Sequence, residues 1–361
     1  MENSDISEST LLPDSAYELC DRLREGARGV DLSGAWPAEQ IGWCAELGLF
    51  RWFIPELYGG WQWNETQILE GYLSLSQSCL TTAFVITQWH AATRRIVASE
   101  NQTLKDSLLP QLASGAKFVT VGISHLTTSR QHMAQPALAA ELLADGRLLL
   151  EGYSPWVTAA SAADTIIVGA TLADGRQVLV ALPTDRGGVQ VSPGQSLLAL
   201  TASCTDQVTL RQVEILPEEI LAGPIENVMA LNAGGGTGGL QTSTLAVGLT
   251  LAAIDFIRQQ AQQRGELLPI AEKLASDTQH LRMALMDLTA GRPSIAPSEL
   301  RQRANSLVLR ATQAALSAAK GAGFVSGHVA GRMAREALFF LVWSCPQTVV
   351  SANLCELAQL Q

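Results

Sequence analysis

The spacing of apolar residues changes period twice along this chain, and that ordering restricts the fold more than any single motif. Up to about residue 117 apolar residues recur at three- and four-residue intervals, as in Ile68 to Leu75 and Thr82 to Val97, which predicts helices. Pro37 fits a first helical position ahead of Ala38 to Leu47 and Gly48. The stretch Phe53-Ile54-Pro55-Glu56-Leu57-Tyr58-Gly59-Gly60 cannot continue a helix, because its proline and paired glycines break one. From Lys117 to about Leu221 the apolar runs shorten and suit a pleated sheet: Phe118 to Ile123, Arg147 to Glu151, Thr165 to Thr171, Gln177 to Leu182 and Gln207 to Ile215. Asp145-Gly146 and Asp174-Gly175 fall between such runs and predict hairpins. After Gly223 helical spacing returns, with helices expected at about Gln241 to Arg264, Ala271 to Thr289 and Ser298 to Lys320, and a fourth from Ala330 to an interruption at Pro346.

This order predicts an α+β multidomain chain. Residues 1–117 form an N-terminal α-helical domain, 118–222 a middle antiparallel β-barrel or sandwich, and 223–361 a C-terminal four-helix bundle. There is no βαβ alternation, internal repeat or low-complexity linker.

Composition narrows the function. The chain is 47% hydrophobic and 16% charged, enough for a large core. Twenty-four basic against thirty-four acidic residues leave a net charge of −10, which repels phosphate backbones, so no nucleic-acid partner is expected. No apolar run is read as reaching the roughly 18 residues of a membrane span. The opening MENSDISEST lacks a basic secretory region, and a cytoplasmic location is the expectation. Six cysteines without a CxxC pair predict neither a disulfide framework nor a metal site.

Short segments then carry a resemblance. Glu46-Leu47-Gly48-Leu49-Phe50 with Ile54-Pro55-Glu56-Leu57-Tyr58-Gly59-Gly60, Leu109-Pro110-Gln111-Leu112-Ala113-Ser114-Gly115, Pro155-Trp156-Val157-Thr158 with Ala163-Asp164, Leu221-Ala222-Gly223, Gly321-Ala322-Gly323-Phe324 and Arg335-Glu336-Ala337 stand in this order. Together they resemble the acyl-CoA dehydrogenase family over nearly the whole chain. The resemblance implies FAD at the junction of β domain and bundle, where a flavin needs an aromatic wall and hydrogen-bond donors at its edge. It places Ser124, Trp156 and Thr158 against the flavin, and Arg264 and Gly321 with the cofactor. The alternative for Trp156 is a core aromatic, and for Ser124 a strand-end hydroxyl.

The departures are as informative. His125-Leu126-Thr127-Thr128-Ser129-Arg130 replaces a glycine-rich loop of the family, so the substrate approach is bulkier, and Arg130 is a candidate for a substrate phosphate or carboxylate. Gly265-Glu266-Leu267-Leu268 and Lys273-Leu274 replace the family's usual residues after Arg264, which leaves a looser or smaller flavin as an alternative. Flavin-linked desaturation needs a carboxylate to take the α-proton. At the family's position for it stands Ser344, and at the other position some members use stands Gly238. His90 and His125 become the candidates for moving a proton, with a satisfied core histidine as the alternative for His90. Gly234-x-Gly236-x-x-Gly239 fits a dinucleotide fingerprint but lacks the strand before it, and is read as a flexible entry to the bundle. Cys345 is read as an inert thiol for want of a base or an electropositive setting.

The leading expectation is an FAD-dependent oxidoreductase acting on CH–CH bonds of an acyl thioester or related small molecule, with altered base chemistry and an unassigned electron acceptor. A flavin-dependent monooxygenase has no use for the missing carboxylate and is the second reading. An inactive scaffold is the third. The apolar run Ala337 to Trp343 predicts a homodimer or homotetramer.

Overall fold

The structure, a computed structural model, describes residues 12–127, 135–231 and 240–360. Five helices build the N-terminal domain: α1 (Asp14–Ser33), α2 (Ala38–Glu46), α3 (Glu65–Ser78), α4 (Leu80–Ala98) and α5 (Gln102–Ala113). Asn64 starts α3 through a capping box: its side chain accepts from the Gln67 N–H while the Gln67 side chain accepts from the Asn64 N–H. Pro37 stands one residue before the first helical residue of α2. The break at residues 53–60 is steric. Gly59 has φ +82°, and a Cβ on Gly60 would lie 1.8 Å from the Ile54 carbonyl oxygen. That turn folds Trp52 and Phe53 inward against Trp63, Tyr72 and Trp89, an aromatic core beneath α4.

The middle domain is one eight-stranded sheet: β1 (Val119–Gly122), β2 (Leu138–Leu142), β3 (Leu148–Val157), β4 (Thr165–Leu172), β5 (Gln177–Pro183), β6 (Val189–Val191), β7 (Asp206–Ile215) and β8 (Ile220–Ile225). A short helical turn, α6 (Ser124–Thr127), follows β1. The strand order is β6-β7-β3-β2-β4-β5-β8, with β1 also on β4. The expectation of a wholly antiparallel domain is corrected. β1 and β2 both pair with β4 in parallel, at Val119↔Thr165 and Ala139↔Thr171, because the chain leaves β1 and returns along the same flank of β4. Both expected hairpins form. Asp145 and Asp174 each accept a hydrogen bond from the N–H two residues on, and Gly146 and Gly175 take φ of +87° and +88°.

Beyond the sheet, α7 (Leu240–Ala261), α8 (Leu268–Thr289) and α9 (Pro297–Ala319) pack on one another, and α3 lies along α7. Gly248 brings α7 so near that a Cβ there would sit 2.6 Å from the Leu73 carbonyl oxygen. Buried on several sides, α7 has a mean hydropathy of 1.5 over its most apolar window, 67% of it buried. The expectation of no membrane-length apolar segment is thereby corrected: by length and composition α7 qualifies, and packing places it in the bundle core. The fourth bundle helix is broken into α10 (Val329–Ala337), a 3-10 turn at Leu338–Leu341 and α11 (Gln347–Leu357). A single hydrophobic core runs through all three regions.

Candidate functional site

The sheet edge that carries Trp156 is irregular in a specific way. Between Ser154↔Val208 and Val157↔Asp206, β3 advances three residues while β7 advances two. This bulge inserts one residue and breaks the inward–outward alternation. Ser154, Pro155, Val157 and Thr158 all turn inward, and Trp156, at φ +56°, turns outward and is 53% exposed. A non-glycine residue in the left-handed region costs on the order of 1 kcal/mol, held here by what surrounds it. The Ser124 hydroxyl donates to the Pro155 carbonyl at 2.8 Å. Below, Thr158 Oγ1 and Thr205 Oγ1 lie 2.9 Å apart, and Thr205 Oγ1 meets Ser203 Oγ at 2.8 Å. Thr120 Oγ1 donates to the Thr158 carbonyl at 2.7 Å.

The core-aromatic alternative for Trp156 is therefore overturned: its indole is presented to the surface on a braced backbone. Ser124 stands beside it, at the start of the short turn α6, not at a strand end. Thr158 needs a correction. The residue is 2% exposed and its hydroxyl is engaged within the buried hydroxyl chain, so it braces the bulge and does not face outward.

His125 turns back into the sheet. Its Nε2 lies 2.7 Å from the Gly169 carbonyl, an acceptor only, so Nε2 carries the proton and donates. Nδ1 is then bare, and it is buried with no partner. Burial holds the imidazole below its ordinary pKa, opposed by that hydrogen bond. Leu126 tucks over Gly169, where a Cβ would come within 2.3 Å of it.

His90 lies apart, on α4 in the aromatic core. Its ring stacks near Phe53 at 4.1 Å, and Nδ1 faces Tyr72 Oη at 3.0 Å and Gln241 Nε2 at 3.3 Å. Desolvation, then the nearby Arg94 charge, hold it well below the ordinary histidine range. At 3% exposure it is sealed, which corrects its candidacy as a proton carrier to a substrate. Tyr72 was missed by sequence reasoning; only its three-dimensional pairing marks it.

Ser344 lies in the break of the fourth helix, between the turn at Leu338–Leu341 and α11, at φ +49° and half-buried. Arg264 turns onto its own bundle, where Nη2 donates to the Ala318 carbonyl at 2.5 Å and to Gln260 Oε1 at 2.9 Å. It thus satisfies a carbonyl at the C-terminus of α9, just before exposed Gly321. Arg130, Gly238 and the glycines from 234 to 239 lie outside the described residues.

Sequence reading also did not single out Glu336 as a buried charge. On α10 it is 3% exposed, with Arg332 Nε at 3.8 Å, while Arg335 pairs with Asp31 of α1 at 2.6 Å. Desolvation pushes its carboxyl up to about 7, against the pull of Arg332.

These residues fit a flavin in one respect. A large planar side chain is braced, exposed and flanked by a hydroxyl. Comparison with known proteins agrees with the family resemblance. Residues 7–116 match the family described as acyl-CoA dehydrogenase, N-terminal domain. A probable acyl-CoA dehydrogenase of Bacillus subtilis (strain 168), YngJ, is 25% identical over 337 residues, covering 86% of this chain and 87% of its own length. Butyryl-CoA dehydrogenase from Megasphaera elsdenii superposes with a TM-score of 0.81 at 16% identity, over 97% of this chain and 100% of that one. Dibenzothiophene monooxygenase (TdsC) from Paenibacillus sp. A11-2 superposes with a TM-score of 0.80 at 17% identity, over 96% and 97%. The same monooxygenase has been solved with FMN bound.

Proposed function

We propose, from the premise that this chain is a relative of the acyl-CoA dehydrogenases and shares their fold throughout, that it is a flavin-dependent oxidoreductase. The observation that carries this is Trp156, turned outward to 53% exposure by a bulge between β3 and β7. FAD is the proposed cofactor, seated on Trp156 with Ser124 at its edge, and Arg264 and Gly321 at the bundle end. When bound, a flavin takes two electrons from a substrate or hands them to oxygen. The chain's part is to bind and orient. The Ser124–Pro155 bond and the Thr158–Thr205–Ser203 hydroxyls hold the indole plane, and Arg130 is the proposed contact for an acidic substrate group. The proposed reaction is at a CH–CH bond of an acyl thioester or related molecule, with a base other than the family's glutamate. Both histidines are buried, His90 at 3% and His125 at 7% exposure, so neither is assigned as the proton acceptor.

A monooxygenase is the second reading, favoured by Ser344, since a serine hydroxyl cannot abstract an α-proton unaided. Anaerobic titration of the flavin-loaded protein with acyl thioesters tests the first reading, through bleaching of the flavin band. A hydroperoxyflavin absorbance after mixing the reduced protein with oxygen supports the second. Protein that binds no flavin sinks both and leaves a scaffold.

Trp156→Ala is expected to weaken flavin binding about tenfold, the contribution of one aromatic stacking contact. Fluorescence titration with FAD measures it, and equal affinities would remove Trp156 from the site. A cytoplasmic homodimer or homotetramer is proposed with it. Phe324 at 89% exposure and Val342 at 76% leave apolar surface for a second copy, and light scattering reading a monomer would overturn that part.

A further inference from the structure

Arg301, on α9, is the most buried arginine of the described chain, at 1% exposure. Its Nη2 donates to the Trp343 carbonyl at 2.9 Å and approaches Cys345 Sγ at 3.6 Å. Nε and Nη1 are buried without partners, and no carboxylate of the described residues pairs with it. One helical turn on, Asn305 Nδ2 donates to the Phe340 carbonyl at 3.0 Å and reaches Asn353 Oδ1 of α11 at 3.5 Å. Asn305 Oδ1 and Asn353 Nδ2 are likewise buried and unpartnered. One turn of α9 and the facing side of α11 thus concentrate four bare polar atoms, three of them N–H donors.

A buried guanidinium without a counter-charge is costly, and a bare donor beside it adds to the cost. Donor excess selects an anion over a cation, and the burial of these atoms selects a small one. We propose that Arg301, with Asn353, forms a site for a single small negative charge, the carboxylate of a ligand or a free halide. The site lies between α9, the turn at residues 338–345 and α11. Half-buried Cys345 lies beside it, its Sγ 3.6 Å from Arg301 Nη2. This assignment is independent of whether a flavin binds.

The test uses the full chain and thermal unfolding in graded sodium acetate and sodium chloride, comparing wild type with Arg301→Gln and Asn353→Asp. Wild type is expected to gain roughly 2–5 °C in Tm and saturate, as mass action requires of a ligand that binds only the folded state. Arg301→Gln should lose the saturable part while keeping any general salt effect. Asn353→Asp supplies the missing charge from within, so its Tm should rise in low salt and its anion response vanish. Saturation at lower acetate than chloride assigns a carboxylate ligand; the reverse assigns a halide. Identical salt responses in wild type and Arg301→Gln would overturn the proposal. Should Arg301→Gln fail to fold, a lowered Tm in Asn353→Asp together with no saturable response in wild type overturns it alone.

Discussion

Ser344→Glu is expected to speed anaerobic bleaching of the flavin-loaded protein by butyryl-CoA about a hundredfold. A positioned general base contributes roughly 10²–10⁴ in rate, and the lower end suits a carboxylate placed by substitution alone. The backbone is prepared for it. Arg301 holds the Trp343 carbonyl one residue before, which pins the turn on which residue 344 sits. The guanidinium also favours an ionised neighbour. Residue 344 has φ +49°, a strain that serine already bears through its Cβ, so the longer side chain should not abolish the fold. Stopped-flow absorbance reads the rate, and circular dichroism confirms the fold. A folded Ser344→Glu variant that binds FAD and bleaches no faster than wild type would show that the thioester does not reach this turn, and the dehydrogenase reading would fall to the monooxygenase one.

Stability should depend on pH through Glu336. Its carboxyl is raised from an ordinary 4.5 to about 7 by burial. Between those values the folded chain holds a proton that the unfolded chain has released. The stabilisation is therefore complete below about pH 4.5 and is lost as pH rises through about 7. The difference corresponds to on the order of 3 kcal/mol. The charges facing the group are Arg332 and Arg335 on its own helix and Asp31 across from α1, and the Arg335–Asp31 ion pair ties α10 to the N-terminal domain. Glu336→Gln keeps the shape and removes the titration. Below about pH 4.5 its Tm should match wild type, and at about pH 8 it should exceed wild type by roughly 3–5 °C. Parallel Tm curves across that range would show that burial does not raise the Glu336 carboxyl.

Much of the fold was legible because its signals are local. Asp145-Gly146 and Asp174-Gly175 make their turns from their own side chains and a positive φ, so the hairpins they join were readable without partners. β2 was not readable: Leu138-Ala139-Ala140-Glu141-Leu142 has little intrinsic strand preference, and it is extended because Leu148 to Gly152 and β4 offer it ladders. β6 and β8 were likewise too short or too interrupted. The site divides in the same way. Ser124, Trp156 and Ser344 were found from short motifs, whereas the sealing of His90 by Phe53, Tyr72 and Gln241 depends on residues up to 151 positions away.

What the sequence determined by itself is the succession of helical, extended and helical regions, the turns, and the absence of a carboxylate at position 344. Each follows from the chemistry of neighbouring residues, which any conformation of the chain would carry. The tertiary structure alone decided which way Trp156, Thr158 and His125 point, and which charges are left buried at Arg301 and Glu336. Those depend on a one-residue slip between β3 and β7 and on what distant segments bring to each side chain, and neither is written in local spacing.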